Sequence, residues 1–186
     1  PILEEEGPPM VLQGPWEVTF INGGPTLPEP MTMTQLASWT EAGGQATERF
    51  AGTARYTTTF DLPERDTTVW RLELGRVAES ARIRINGHDL GVLFVPPMQV
   101  DIPGECLQKA ANTLEVEVTN LSANRIRGLD QDGVPWRKFY DINFVDINYK
   151  PFDTSNWPVR DSGLLGPVSL QSMEKIVNEL ESPVPL

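Results

Sequence analysis

The sequence predicts an all-β protein, folded as a β-sandwich or a β-barrel. Apolar and polar residues alternate over short segments, most clearly where Leu114, Val116 and Val118 are separated by polar residues. The 186 residues include 17 prolines and 15 glycines, which favours many turns between short elements. Helical periodicity is almost absent, so strands have to supply most of the regular structure.

The chain is predicted to begin with a linker and a first strand. Residues 1–13 contain three consecutive acids and then Gly-Pro-Pro, which is typical of a linker. Residues 16–20 alternate large apolar and polar side chains, which indicates a half-buried strand. An Asn-Gly-Gly-Pro turn at 22–25 ends this strand, and residues 26–50 form a loop-rich segment.

Three alternating segments follow, and each presents one apolar face. Asn86 and Gly87 come directly after the third segment, and Asn-Gly between apolar runs is a strong signal for a β-hairpin. Residues 90–95 supply the partner strand, and two prolines end it. The inward positions of the three segments are Tyr56, Thr58 and Phe60, then Trp70, Leu72 and Leu74, then Ala81, Ile83 and Ile85.

The remaining elements are shorter. Val100 and Ile102 indicate a short strand, and residues 114–118 form a regular alternating strand. Residues 164–170 are predicted to form a closing strand. Residues 173–180 are predicted to form one short helix, which is followed by a proline-containing tail.

The composition excludes several classes of function. Fifteen basic and 26 acidic residues give a net charge of −11, which disfavours nucleic acid and anionic membranes as partners. A single cysteine, Cys106, and a single histidine, His88, argue against disulfides, Cys- or His-based metal sites and a Ser-His-Asp triad. The sequence contains no run of about 20 apolar residues, the length that a membrane-spanning helix requires. The acidic first residues do not resemble a signal peptide.

The segment from 121 to 162 lacks a regular pattern and holds 7 of the 15 aromatic residues. Sugar binding needs flat apolar rings and planar polar groups, and this segment offers both. Two other interpretations stay open. The aromatic residues could form a satellite core under a long loop, and the arginines could pair with Asp130 or Asp132. The candidate ligand-binding residues are Trp157, Trp136, Tyr140, Asn124, Arg125, Arg127 and Trp39.

Metal binding and catalysis have weaker support. Residues 130–133 resemble the start of a calcium loop, but its twelfth position is Asp141 rather than the expected glutamate. We therefore interpret these residues as a turn and expect no cofactor, with a structural calcium ion elsewhere as an open alternative. The chain offers no evident nucleophile–base set, so no catalytic residue is assigned.

An ordered set of short motifs resembles a known protein family. In this order they are similar to the C-terminal galactose-binding-like β-sandwich of glycoside hydrolase family 106, the α-L-rhamnosidase-like proteins. The sugar-binding domain of family 2 glycoside hydrolases is a more distant likeness. The motifs are SWT at 38–40, FAGTARYTTTF at 50–60, LGRVAE at 74–79, INGHDLG at 85–91, PP at 96–97, VDI at 100–102, NTLEVEVTN at 112–120, NR at 124–125 and SGLLGPV at 162–168.

The resemblance implies a galactose-binding-like jelly-roll β-sandwich over residues 14–172, with a long aromatic-rich loop, and a short helix and tail over 173–186. It also implies a bacterial polysaccharide-degrading parent enzyme in an extracellular or periplasmic setting. The chemistry would belong to a separate catalytic domain of that enzyme, so this chain alone is expected to be inactive.

Three hypotheses follow from the resemblance and the residues together. In the first, the chain is a carbohydrate-binding module for plant or algal cell-wall glycan, with polysaccharide or oligosaccharide as its ligand. In the second, it is a structural module that packs on the catalytic domain and binds no sugar. In the third, it is a small stand-alone glycosidase.

Overall fold

The computed structural model describes residues 2–64, 68–137, 150 and 152–176, and in these ranges the all-β prediction is confirmed. The α-helices among the described residues are α1 (Trp39–Ala42), α2 (Gly44–Glu48) and α3 (Ala123–Gln131), and Gly104–Cys106 forms a 3-10 turn. The described strands are β1 (Ile2–Val11), β2 (Trp16–Gly24), β3 (Met31–Met33), β4 (Ala51–Phe60), β5 (Val69–Glu73), β6 (Arg76–Ala78), β7 (Ser80–Ile85), β8 (His88–Leu93), β9 (Gln99–Pro103), β10 (Asn112–Thr119), β11 (Gly163–Gly166) and β12 (Ser169–Ile176).

The strands form two main antiparallel sheets and one small pair. The six-stranded sheet has the order β3-β2-β4-β10-β7-β8, and the four-stranded sheet has the order β1-β12-β5-β9. Strands β11 and β6 make the additional pair. The inner faces of both main sheets contribute to a single apolar core, which makes the fold a β-sandwich.

The core is built from the faces that the alternating pattern predicts. In β10 every second side chain is buried, because successive side chains of a strand point to opposite faces. Phe60 is the exception at the end of β4, where it is only half-buried. The other apolar positions of the three predicted central strands are buried, namely Tyr56, Trp70, Leu72, Leu74, Ala81, Ile83 and Ile85.

The predicted hairpin is confirmed between β7 and β8. Asn86 has a φ of 49° and Gly87 a φ of 82°, the positive values that this type of turn requires. The Asn86 side chain accepts a hydrogen bond from the backbone N–H of Thr113 at 2.8 Å and donates one to the carbonyl oxygen of Cys106 at 2.9 Å. These bonds tie the turn to the neighbouring connections.

The predictions for both ends of the sandwich were wrong. Residues 2–11, predicted as part of a linker, form strand β1, which pairs along β12. Most β1 side chains are exposed, so their sequence shows no alternation, and the strand is held mainly through its backbone. Met173–Ile176, predicted to begin a helix, continue strand β12, and Met173 is buried. Residues 177–180 lie outside the described part of the chain.

Two further predictions need correction. The closing strand at 164–170 is two strands, β11 and β12, which belong to different sheets and are separated at Pro167. The segment from 121 to 162 begins with helix α3 rather than with irregular loop. Only Asn124 and Gly128 of α3 are buried, so the helix has no continuous apolar face from which its presence could be predicted. No helix in the described ranges is long and apolar enough to span a membrane.

Candidate functional site

Three aromatic side chains cluster beside α3, and we call them the aromatic platform: Trp136, Phe152 and Trp157. The ring centroids of Trp136 and Phe152 are 6.4 Å apart with an interplanar angle of 73°. Those of Phe152 and Trp157 are 5.7 Å apart at 89°. Both contacts are edge-to-face, an arrangement that aromatic pairs favour. The cluster therefore brings Trp136 together with two aromatic residues that lie 16 and 21 positions later in the chain.

One face of α3 holds the segment that carries Trp157. Asn124 donates a hydrogen bond to the carbonyl oxygen of Arg160 at 2.7 Å and accepts one from its N–H at 2.8 Å. Arg127 Nε donates to the carbonyl oxygen of Trp157 at 2.8 Å, and Gln131 Nε2 donates to that of Ser155 at 3.0 Å. Residues spaced by three or four positions share one face of a helix, so all three side chains point toward the same segment. Their partners occur in reverse order along the chain, so the helix and the segment run antiparallel.

The Asp130 carboxylate is the centre of the polar contacts beneath the platform. It accepts hydrogen bonds from Trp136 Nε1 at 2.6 Å, from the Arg137 guanidinium at 2.9 Å, and from the N–H and hydroxyl of Thr154 at 2.8 Å each. The Arg137 guanidinium also lies 5.0 Å from the Trp136 ring and donates to the carbonyl oxygen of Phe152. The Asp130 side chain is 6% exposed, which makes these contacts hard for water to replace.

The environment of Asp130 changes its acidity. Desolvation raises the pKa of this carboxyl, but the hydrogen bonds from Trp136 and Thr154 and the positive charge of Arg137 favour the ionised form. Together these contacts outweigh desolvation and lower the pKa below its ordinary value. Asp130 therefore remains ionised at neutral pH and holds its donors in place.

Helix α3 is also fixed to the sandwich through α2. Arg127 forms an ion pair with Glu48 at 2.8 Å, and Arg49 forms one with Asp132 at 2.6 Å. The Arg49 stem lies directly against Gly128, where an added Cβ would come within 2.9 Å of its Cδ. Arg127 and Arg49 are therefore engaged within the protein. Arg127 is paired internally, but with Glu48 rather than with Asp130 or Asp132, the partners considered from the sequence.

The structure separates the predicted ligand-binding residues. Trp157 is 38% exposed, while Trp136 is half-buried with its indole N–H bonded to Asp130. Asn124 and Arg127 lie next to the platform, but both hold backbone or side-chain partners of the protein itself. Arg125 is half-buried, and its side chain makes no hydrogen bond or ion pair within the described ranges. Tyr140 lies outside the described residues.

Trp39 does not belong to a surface site. It is fully buried in the core, where its ring lies 5.5 Å from Phe20 and 5.9 Å from Phe50 in edge-to-face contacts. Ser38 caps helix α1 and accepts a hydrogen bond from the N–H of Ser162 at 2.9 Å. The SWT motif therefore joins α1 to the strand region before β11, and the prediction of Trp39 as a ligand-binding residue was wrong.

Sequence reasoning missed several contributors to the platform, namely Phe152, Thr154 and Arg137. Their roles depend on Asp130, which the sequence showed only as a turn residue or a candidate partner for an arginine. Within the described ranges, no group of three or more His, Cys, Asp or Glu side chains could hold a metal ion. Asp130 and Asp132, in the segment that resembles a calcium loop, are both bonded to arginines.

Comparison with known proteins shows similarity to parts of larger glycoside hydrolases. No protein-family model matches the sequence. A protein of Formosa agariphila named "Putative beta-glucuronidase" is 29% identical over 181 residues, which cover 87% of this chain and 15% of that protein. The structure of a rhamnosidase from Novosphingobium sp. PP1Y superposes with a TM-score of 0.69 at 28% identity, covering 94% of this chain and 15% of that chain.

A Bifidobacterium dentium β-glucuronidase complexed with coumarin-3-O-glucuronide has a TM-score of 0.59 at 20% identity, covering 88% of this chain and 29% of that one. At this identity the likeness shows the fold alone. The chain spans 15% of the length of the rhamnosidase and of the curated relative. It is thus similar, over nearly all of its length, to one β-sandwich domain of larger glycoside hydrolases, a rhamnosidase among them.

Proposed function

We propose that this chain is a non-catalytic carbohydrate-binding module of a bacterial polysaccharide-degrading glycoside hydrolase, which works outside the cell or in the periplasm. Its ligand is a plant or algal cell-wall glycan, bound at the aromatic platform. The observation that carries the proposal is the partly exposed ring of Trp157 on a segment that α3 holds in place. The similarity to a rhamnosidase makes rhamnose-containing polymers the first ligands to test.

The surroundings of Trp157 suit a sugar. A pyranose presents an apolar C–H face, which stacks on an aromatic ring, and hydroxyl groups around its edge. Asp153, Asn156 and Arg160 are exposed on the same segment, and they supply a carboxylate, an amide and a guanidinium as hydrogen-bonding groups for hydroxyls. One ring and several planar polar groups on one segment can therefore contact both the C–H face and the hydroxyls of a sugar.

The contacts of α3 add preorganisation. Binding to a mobile loop would include the free-energy cost of ordering that loop. Here the backbone at Ser155, Trp157 and Arg160 is already held by side chains of the helix. A single, partly exposed indole ring offers only a modest contact area. We therefore expect dissociation constants from micromolar to millimolar, which correspond to binding free energies of about −4 to −8 kcal/mol.

The test is binding to a polysaccharide panel by affinity-gel electrophoresis and calorimetry. The panel contains pectic, xylan, glucan and rhamnose-containing polymers, and at least one should retard the protein. Trp157→Ala should weaken binding by about tenfold or more, about 1.4 kcal/mol, while the domain remains folded. Trp157→Phe should restore part of the affinity because a ring is still present.

Val159→Ala is the matched control, since Val159 lies on the same segment and is exposed to nearly the same fraction. Its binding should equal that of the wild-type protein. Retardation by no polymer of the panel, or unchanged binding of the Trp157→Ala variant, would refute a glycan site at the platform.

The proposal also treats the chain as inactive by itself. At the platform, the Asp130 carboxylate is engaged with four donors and is therefore not free to serve as one member of an acid–base pair. Aryl rhamnosides and aryl glucuronides therefore should not be hydrolysed above the buffer rate. Turnover that survives repeated purification would show a stand-alone glycosidase instead.

A second candidate function is a structural module that packs on a catalytic domain. It is favoured by an apolar patch on edge strand β8 and the residues after it, where Val92 is 53%, Phe94 72% and Val95 61% exposed. Adjacent large apolar side chains on a surface often mark an interaction site. In a full-length hydrolase, Phe94→Ser should then lower thermal stability, whereas the same variant of the isolated chain should be as stable as wild type. Equal stability of both full-length proteins would remove this candidate.

A further inference from the structure

A groove lies at the opposite end of the sandwich from the aromatic platform. It has a volume of about 720 Å³ and lies between the β4–β5 and β9–β10 connections. Strand β10 begins beside this groove at Asn112 and ends at Thr119, just before α3. Its eight residues set the two ends about 25 Å apart. The groove falls in the range of about 300–1,000 Å³ that is typical of small-molecule sites.

The groove combines an apolar base with polar edges. Trp70 is 3% exposed and lies at the base with Leu107, so it offers an apolar surface rather than an open stacking ring. The polar lining residues are all exposed and comprise two carboxylates, an amide and an ammonium group: Asp61, Glu64, Gln108 and Lys109. Such a site can satisfy hydroxyl groups while it covers C–H groups.

The two connections that form the groove are bonded to each other. The N–H of Leu62 donates to the carbonyl oxygen of Lys109 at 3.0 Å, and the N–H of Ala111 donates to Asp61 Oδ1 at 2.8 Å. The buried Asn112 side chain bonds both the N–H and the carbonyl oxygen of Gln108, at 2.7 and 2.6 Å. The backbones of the two connections and the Asp61 carboxylate are therefore held in position before any ligand arrives.

The backbone at Ala111 supports a functional interpretation. Its φ of 57° lies in the left-handed region, which few residues other than glycine occupy. Residues in such conformations are often found at binding sites, where the surrounding contacts impose them. Here the bond from Ala111 to Asp61 fixes this conformation at the edge of the groove.

We propose that this groove is a second binding site, for a neutral saccharide. Asp61, Glu64 and Lys109 together carry a charge of −1. An anionic sugar such as a uronate would meet two carboxylates, whereas a neutral sugar would use them as hydrogen-bond acceptors. The amide of Gln108 and the ammonium of Lys109 donate to ring or hydroxyl oxygens. The site shares no residue with the platform, so it does not depend on the function proposed for Trp157.

The test is a two-dimensional amide NMR titration of the whole chain with L-rhamnose and, separately, xylobiose. For at least one of these neutral sugars, the amide signals of Leu62, Leu107 and Lys109 should shift in a saturable manner. The same shifts should appear in the Trp157→Ala variant, while shifts at Trp157 and Ser155 report the platform separately. If neither sugar moves the groove signals at its solubility limit, the proposal is overturned, whatever happens at the platform.

The double variant Glu64→Gln, Gln108→Ala should weaken the groove titration by about tenfold and leave the platform titration unchanged. Glu105→Gln is the matched control. Glu105 is an exposed acid of the β9–β10 connection, which also carries Gln108, but it does not line the groove. Sodium glucuronate should bind the groove about tenfold more weakly than the neutral sugar. An unchanged double variant, or equal binding of glucuronate, would contradict a neutral-sugar site.

Discussion

At the scale of single residues, the candidate site depends on the side chain of Asp130, which is itself only 6% exposed. Asp130 joins helix α3, Trp136, Arg137 and Thr154 through one nearly buried carboxylate. Trp157 supplies the exposed ring, but its neighbours are positioned through contacts that converge on Asp130. A neutral side chain at this position would lose the charge that pairs with Arg137 and the acceptors for at least some of the donors.

Asp130→Asn should therefore lower the free energy of unfolding at about pH 7 by about 2–4 kcal/mol, since hydrogen bonds to a buried charge are stronger than neutral ones. Because the pKa of Asp130 is lowered in the folded state, its stabilising contribution is full above the unfolded value of about 3.9. It is lost as the pH falls through the folded value. The difference between variant and wild type should accordingly shrink in acid, which urea unfolding at several pH values measures.

Asp132→Asn is the control for this prediction, because the Asp132 side chain is 52% exposed in its ion pair with Arg49. An exposed pair contributes about 0–1 kcal/mol, so this variant should be nearly as stable as wild type. A loss for Asp130→Asn that is no larger than the loss for Asp132→Asn would show that the contacts of Asp130 do not support the platform.

At the scale of elements, α3 contributes polar contacts that hold residues 155–160 rather than an apolar face for the core. Its polar side chains make backbone contacts to residues 155–160, and its ion pairs reach α2. Helices of this length are marginal in isolation and usually depend on tertiary contacts. The platform and the helix should therefore stabilise each other, and loss of one contact between them should destabilise both.

Asn124→Ala should destabilise the domain by about 1–2 kcal/mol, because a buried amide that exchanges two hydrogen bonds with Arg160 is removed. It should also weaken glycan binding at the platform, since the segment that carries Trp157 loses one of its attachments. Thermal unfolding and calorimetry with the best polymer of the panel measure the two effects.

Arg125→Ala is the neighbouring control, because the Arg125 side chain has no bonded partner within the described ranges. It should change stability by less than about 0.5 kcal/mol. If both variants behaved like wild type, the contacts of α3 would not determine the position of Trp157.

At the scale of the whole molecule, the sandwich is closed on one side by strand β1. Its backbone covers the edge of β12, and Gln171 and Ser172 bond the carbonyl oxygens of Glu6 and Gly7. Few of its side chains are buried, so its contribution is mainly backbone hydrogen bonding. Uncovered strand edges pair readily with other chains, so coverage of the β12 edge by β1 limits such pairing.

Deletion of residues 1–11 should lower the free energy of unfolding by only about 2 kcal/mol, since backbone bonds of about 1 kcal/mol each are offset by the ordering entropy of the strand. The larger effect should be self-association through the exposed β12 edge, visible as concentration-dependent elution in gel filtration. A monomeric deletion variant at all concentrations would show that β1 does not protect this edge.

The alternating segments, the Asn-Gly hairpin and the acidic composition could be interpreted from the sequence alone. These features are local, because strand alternation and turn geometry are encoded within a few residues. The ordered motifs likewise identified the resemblance to a hydrolase domain, which the comparison with the rhamnosidase confirms. Trp157 was a correct choice for an exposed ring, but whether it binds glycan stays a prediction.

Only the tertiary structure decided which rings face solvent, where α3 forms and what covers β12. Trp39 and Trp157 both lie among polar neighbours in sequence, yet one is fully buried and the other is exposed. Asn124 bonds Arg160, which lies 36 positions away, and Asp130 bonds Thr154, which lies 24 positions away. The partners of β1 lie more than 150 positions away. Such pairings depend on how the sheets and connections come together in space, and neither periodicity nor composition encodes that arrangement.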